Sequence, residues 1–192
     1  MVAQTSAPDP IGIAWRRLDT PGHDAAILRA VSNGWQLEGA AAFLESGFAC
    51  HLTYAVHLER SWRTRSVIVR GWYGTTPVDL QVRVDADRGW SLNGQSVPAV
   101  AGAVDIDLAF TPATNLLPIR RLGLQVGASS PVVAAWLPFP AIDLRPLDQV
   151  YHRVANDTYR YSSQSGTFTA TLIVSPAGFV TNYSGLWVEE RG

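Results

Sequence analysis

Residues 48–59 read FACHLTYAVHLE, and in them Phe48, Cys50, Leu52, Tyr54, Val56 and Leu58 alternate with Ala49, His51, Thr53, Ala55, His57 and Glu59. Successive strand side chains point to opposite faces, so a period of two predicts a strand with one face in the core and the other mostly polar. Downstream, Val78, Leu80, Val82 and Val84 alternate with Asp79, Gln81, Arg83 and Asp85 in the same way. From Ile11 onward, short runs rich in Trp, Val, Thr and other aromatics recur between Gly, Pro, Asn or Asp, the mark of a mainly β domain.

Upstream of that strand, residues 12–19, 24–32 and 35–45 are expected strands, with Asn33-Gly34 marking a tight hairpin turn between the second and third. The third stays open between strand and helix, because Ala40 to Glu45 (AAAFLE) is good helical sequence once past Gly39. In Trp62 to Tyr73, strict alternation puts Arg63 and Arg65 on one face with Val67 and Val69, and Thr64, Ser66, Ile68 and Arg70 on the other, so neither face is cleanly apolar. Gly89 to Gly94 reads as a short strand closing in an Asn-Gly turn. Residues 132–139, 143–154, 159–163, 168–174, 179–183 and 186–189 repeat the strand pattern, with turns at Ser165-Gly166 and Pro176-Ala177-Gly178. A meander of antiparallel strands, forming a curved sheet or incomplete barrel, accounts for this most simply. No repeat of roughly 20 to 50 residues points to a propeller or solenoid.

The 192 residues suit one domain, with residues 1–10 as a frayed leader and 11–192 as the folded unit. A 47% apolar and 16% charged composition describes a globular protein with a large interior. All 15 basic residues are Arg, as codon usage in a GC-rich genome would produce. A net charge of −1 offers no basic footprint for nucleic acid. The lone Cys50 cannot form an intramolecular disulfide, and MVAQTSAPDPIG lacks the pattern of a signal peptide, so a reducing, cytoplasmic setting is expected. No apolar run approaches the roughly 18 residues needed to span a bilayer.

Between the two strand-rich regions lies residues 104–121, VDIDLAFTPATNLLPIRR, which is expected to sit where two halves of a sheet meet. Asp105 and Asp107, two apart on a strand, project to one face about 7 Å apart. Such a pair suits sugar hydroxyls, a cation or general acid/base work. Alternatively, one or both pair with Arg120 or Arg121 and pin the Thr-Pro segment. Thr111-Pro112 and Leu117-Pro118 restrict the backbone, and Thr114 or Asn115 is placed to cap a short helix near Asn115 to Leu122. Arg120 and Arg121 must diverge on a helix, and an inward one would suit a phosphate or carboxylate. Arg63, Arg65, Tyr151 and Arg153 lie on strands and are candidates for a cavity mouth or a solvated face. His51, His57 and His152 show no metal-ligand spacing, and no G-x-S-x-G, H-E-x-x-H, P-loop or G-x-G-x-x-G occurs, so no metal or cofactor is implied.

The run Asp105-Ile106-Asp107-Leu108, then Thr111-Pro112-Ala113-Thr114-Asn115, then Leu117-Pro118-Ile119-Arg120-Arg121-Leu122 resembles the signature of the putative glycolipid-binding family, a bacterial group first catalogued as a domain of unknown function. Trp62-Arg63-Thr64-Arg65, Ala135-Trp136, Phe139-Pro140, Gln149-Val150-Tyr151-His152-Arg153 and Tyr159-Arg160-Tyr161 match its pattern in order. The resemblance implies a single β-roll, a curved sheet around a cavity, with one or two short helices. The candidate ligand site, read from the residues themselves, draws on Asp105, Asp107, Thr111, Asn115, Arg120, Arg121, Arg63, Arg65, Tyr151 and Arg153. The expected function is binding of an amphipathic glycolipid or lipid-like molecule, with the polar cluster around Asp105, Asp107 and Arg120 holding the head group. An enzyme using Asp105 or Asp107 as acid or base is the alternative, and a protein that pairs through an exposed sheet edge is a third.

Overall fold

The computed structural model describes residues 8–191. Its strands are β1 (Ile11–Arg17), β2 (Gly22–Val31), β3 (Gly34–Glu45), β4 (Phe48–Glu59), β5 (Thr64–Tyr73), β6 (Thr76–Val84), β7 (Trp90–Leu92), β8 (Gln95–Ser96), β9 (Asp105–Leu108), β10 (Ser129–Leu137), β11 (Arg145–Arg153), β12 (Thr158–Ser163), β13 (Phe168–Val174), β14 (Val180–Tyr183) and β15 (Trp187–Glu189). One α-helix, α1, spans Leu116–Leu122, and three short 3-10 turns complete the elements. Most of the expected leader, residues 1–7, lies outside the described residues; Pro8 to Pro10 precede β1 without regular structure.

All fifteen strands join one curved, mainly antiparallel sheet that is not closed into a barrel. β1 to β8 form a meander, β1 pairs with β15, and the chain's second half follows from β15 to β9. The last pair, β9 with β10, runs parallel. Parallel neighbours cannot be joined by a hairpin, so the chain must cross over between them. That crossover, residues 109–128, passes through the interior of the roll: every residue from Phe110 to Ile119 is buried. The space expected as a broad cavity is therefore largely filled by the chain itself.

The alternation of Phe48 to Glu59 appears as drawn from sequence, with Cys50, Leu52, Tyr54, Val56 and Leu58 buried, although Phe48 at the strand's start is 55% exposed. AAAFLE is strand, continuous with β3. Gly39 helps to keep it there: it faces Tyr54 across the β3–β4 pair, and a Cβ at this position would come within 2.3 Å of the Tyr54 ring and hydroxyl. Two details differ from expectation. The β2–β3 hairpin turns on Ser32 and Asn33, with Val31 paired to Gly34, so Asn33-Gly34 is not the central pair. In β5 the pairing to β4 shifts between Thr64 and Ser66, leaving Arg65 as the extra residue of a bulge. Alternation inverts there, which places Thr64 inward with Val67 and Val69 and leaves Arg65 exposed.

The free side of β9 approaches the start of β5. Thr64 N–H donates to the Val104 carbonyl (3.1 Å), and Ile106 N–H donates to Thr64 Oγ1 (3.1 Å). Arg88 spans this seam, donating to the carbonyls of Thr64 (2.8 Å), Ala103 (2.9 Å) and Val104 (3.0 Å). The stretch 104–121 thus does sit where two parts of the sheet meet. The other junction, β1 with β15, is made by the chain ends.

A second tie holds the crossover to the first half of the sheet. Asp24, 1% exposed, accepts from Tyr54 Oη (2.9 Å) and Thr111 Oγ1 through the same carboxylate oxygen, while its Oδ1 has no partner. Burial outweighs those hydrogen bonds and pushes the carboxyl up to about 6 from 3.8. Between those values the folded state holds the proton more strongly than the unfolded chain, so stability must fall as pH rises from about 4 to 6. A shift of this size corresponds to about 3 kcal/mol. Asp107, also raised to about 6 by burial, contributes in the same window. Asp24→Asn is expected to flatten part of that dependence in urea unfolding at pH 4 and pH 7; an unchanged dependence would show that Asp24 titrates alike in the folded and unfolded chains.

Candidate functional site

The two aspartates of β9 have separate fates. Asp105 is 1% exposed, and both its oxygens are taken by Arg121, whose Nε and Nη2 donate at 3.0 and 2.6 Å. Burial raises the Asp105 carboxyl above its ordinary range even though the Arg121 guanidinium opposes this. The pairing alternative read from the sequence describes Asp105 and Arg121. Asp107 instead accepts from Gln149 Nε2 at 2.6 Å and lines a small pocket with Thr111 and Asn115. Tyr151, buried, donates to Asn115 Oδ1 at 2.9 Å.

Neither Thr114 nor Asn115 caps α1 through its side chain. Thr114 Oγ1 accepts from Leu108 N–H, and Asn115 Nδ2 donates to the Pro112 carbonyl, because a buried crossover must satisfy its own polar groups first. Arg63 is half-buried near the seam, where Asp105 and Arg88 feel its charge.

Arg120, one residue from Arg121, points the other way. Its guanidinium lies 4.8 Å from the Trp62 ring centroid, and Trp62 stacks on Trp35 at 4.6 Å and 15°. Trp62 has φ 69°, a left-handed conformation that a bulky residue adopts only when its surroundings hold it. Gly178 clears the way for the Arg120 stem: it has φ 99°, and a Cβ there would stand 2.8 Å from Arg120 Cδ. No described residue supplies an acceptor or carboxylate to this guanidinium, which is exposed. The result is a positioned cation with its donors unused.

Two grooves meet at Arg120, sharing it with Ser175 and Pro176. One, of about 510 Å³, is polar and aromatic, with Trp62, Arg153, Asn156, Asp157 and Tyr159. Arg153 is anchored there by bonds to the Leu124 carbonyl (2.7 Å) and the Asn156 carbonyl and lies 5.8 Å from the Tyr159 ring. The other, of about 570 Å³, is mainly apolar, with Ile11, Ile13, Leu28, Trp35, Ala177 and Phe179. Each volume falls within the range of roughly 300 to 1,000 Å³ usual for small-molecule sites.

A larger depression of about 750 Å³ shares Trp35 with the apolar groove and holds Arg65 with His57, Arg83, Asp85 and Ser91. Its apolar lining, Val31, Leu58, Val84 and Trp90, is interleaved with polar residues, whereas at Arg120 a mainly apolar groove adjoins a polar one, so the Arg120 junction is the stronger candidate. Of the sequence-predicted residues, Arg120 and Arg153 meet at this junction, Asp107, Thr111 and Asn115 meet at the small pocket, and the rest are not brought to either. Trp35, Ile13, Leu28 and Phe179 were not singled out. They come from β1, β2, β3 and the loop before β14, and no local motif links them.

Among the described residues there is no group of three His, Cys, Asp or Glu side chains suited to a metal ion, and no helix is long and apolar enough to cross a membrane. The stacked arrangement makes unequal demands on its members. Trp62→Ala should cost about 3–5 kcal/mol as a buried aromatic deletion, and Gly178→Ala about 1–2 kcal/mol from its left-handed backbone. Arg120→Ala should cost less than about 1 kcal/mol, the worth of an exposed cation–π contact. Urea unfolding of the three variants checks this order, and a large loss for Arg120→Ala would make Arg120 a structural residue.

No curated protein matches the chain. Among solved structures, the crystal structure of a DUF1089 family protein from Pseudomonas aeruginosa is similar, with a TM-score of 0.75 and 27% identity over 97% of this chain and 95% of that one. The family model described as "Putative glycolipid-binding" matches residues 12–189, and the chain belongs to that family.

Proposed function

We propose that this protein binds one amphipathic molecule across the two grooves that meet at Arg120. The observation that carries the reading is the Arg120 guanidinium, held on the Trp62–Trp35 stack without a protein acceptor, where a polar groove adjoins an apolar one. The apolar groove removes a hydrocarbon segment from water, at roughly 25 cal/mol for each Å² buried. Arg120 and Arg153 suit an anionic head group, and the indole and phenol rings beside them suit sugar faces. A glycolipid combines these parts, in keeping with the description of the family.

This differs from the cluster expected from sequence, in which Asp105, Asp107 and Arg120 held the head group together. Arg121 occupies Asp105, and Asp107 and Arg120 line different cavities. The enzymatic alternative is left with Asp107 as its acid or base, since Asp105 has both oxygens engaged. No observation favours turnover over binding.

Tryptophan fluorescence titration with n-dodecyl phosphate and n-dodecyl maltoside, both below their micelle concentrations, tests the reading. Saturable binding of at least one is expected. Hydrogen bonds to a charged group are worth about 1.5–3 kcal/mol, so Arg120→Ala should weaken the phosphate by roughly 10- to 100-fold. Arg65→Ala, which lines neither groove, should leave the affinity unchanged. Absence of saturable binding, or equal losses in the two variants, would overturn the assignment.

A further inference from the structure

The small pocket beside Asp107 lies toward the opposite end of the buried segment from Arg120, and nothing in the amphiphile reading uses it. Its volume is about 180 Å³. A cavity of roughly 150 Å³ accommodates one benzene-sized ring, so this one suits a compact group of similar size and is too small for an acyl chain. Ala109 and Gln164, both exposed, mark where its lining reaches solvent.

The lining is unusual in its chemistry. Five aromatic residues contribute, Trp136, Tyr161, Phe168, Tyr183 and Trp187. Tyr161, Phe168 and Tyr183 contact one another with centroids 6.0–6.3 Å apart. The Tyr183 hydroxyl is on a side chain only 8% exposed and has no hydrogen-bond partner among the described residues. Asp107 is the one charged residue in the lining. Gln149 satisfies its Oδ2, leaving Oδ1 without a protein donor among the described residues.

No cation compensates this carboxylate. Burial pushes it up to about 6, and the charged neighbour that matters, Asp105, pushes in the same direction. Asp105 itself is neutralised by Arg121, so that guanidinium is already committed. Asp107 is half-buried, where a carboxylate gains from a counter-charge, and an aromatic wall attracts cations through the ring quadrupole. A neutral sugar would meet the hydroxyls but leave the charge uncompensated.

We propose that the Asp107 cavity is a second binding site, for a small organic ammonium ion such as a trimethylammonium or primary ammonium group. The carboxylate supplies the counter-charge, the aromatic lining excludes water, and the Tyr183 hydroxyl supplies a polar contact to a ligand substituent. The site is independent of the groove at Arg120.

Saturation-transfer NMR and calorimetry with choline, its uncharged isostere 3,3-dimethylbutan-1-ol and glucose test this on the intact protein. Choline should bind at least tenfold more tightly than the neutral isostere. Asp107→Asn should abolish that preference, and Phe168→Leu, which keeps apolar volume, should reduce choline affinity severalfold. Near-UV circular dichroism establishes that each variant is folded; should Asp107→Asn not fold, the comparison of choline with its isostere on the native protein still decides. Equal binding of the two, binding of neither, or tighter binding of glucose would overturn the proposal.

Discussion

β9 and β10 run side by side in the same direction, and a chain that leaves one at Leu108 must travel back along the roll before it can enter the other at Ser129. In this molecule it travels inside. A buried backbone carries its peptide groups and side-chain dipoles away from water, and each must find a partner or cost on the order of 1–3 kcal/mol. The polar residues of the crossover meet that demand. Thr111 reaches Asp24 and accepts from Ala113 N–H, Thr114 accepts from Leu108 N–H, and Asn115 bonds to Tyr151 and Pro112. Arg121 folds back on Asp105. The chemical density of residues 104–121 is first of all the price of an interior path.

The same path sets where ligands can go. Phe110, Leu116 and Leu117 fill the space between the sheet's walls, so an acyl chain has no deep interior pocket among the described residues. The two sites we propose therefore lie at the two ends of the buried segment. At one end Arg120 emerges between a polar and an apolar groove, and at the other Asp107 faces a small aromatic cavity. Adjacent arginines on α1 therefore have different surroundings: Arg121 neutralises a buried acid, and Arg120 stacks on Trp62 with its guanidinium exposed.

Much of the fold was legible because a half-buried strand writes its period directly into sequence, as in Phe48 to Glu59. Where the period failed, a specific device was responsible. The bulge at Arg65 inverted the alternation of β5, and a bulge has no residue signature that strict counting detects. AAAFLE was ambiguous because helix propensity describes isolated chain, while Gly39 beneath Tyr54 and pairing on both sides decided for strand. The site was legible only in part. Asp105, Asp107 and the arginines stood out as polar residues in apolar surroundings, but their partners, Gln149, Trp35 and Tyr183 among them, lie far along the chain. The parallel register that separates Asp107 from Arg120 leaves no mark in either segment.

The account turns on the crossover staying in place while an amphiphile binds outside it. A crystal structure of the protein with bound n-dodecyl phosphate tests this directly. The phosphate should lie within hydrogen-bond distance of the Arg120 guanidinium and the alkyl chain along Ile13, Leu28 and Phe179, with Phe110 to Ile119 unmoved. An alkyl chain inside the roll, with that segment displaced, would contradict it.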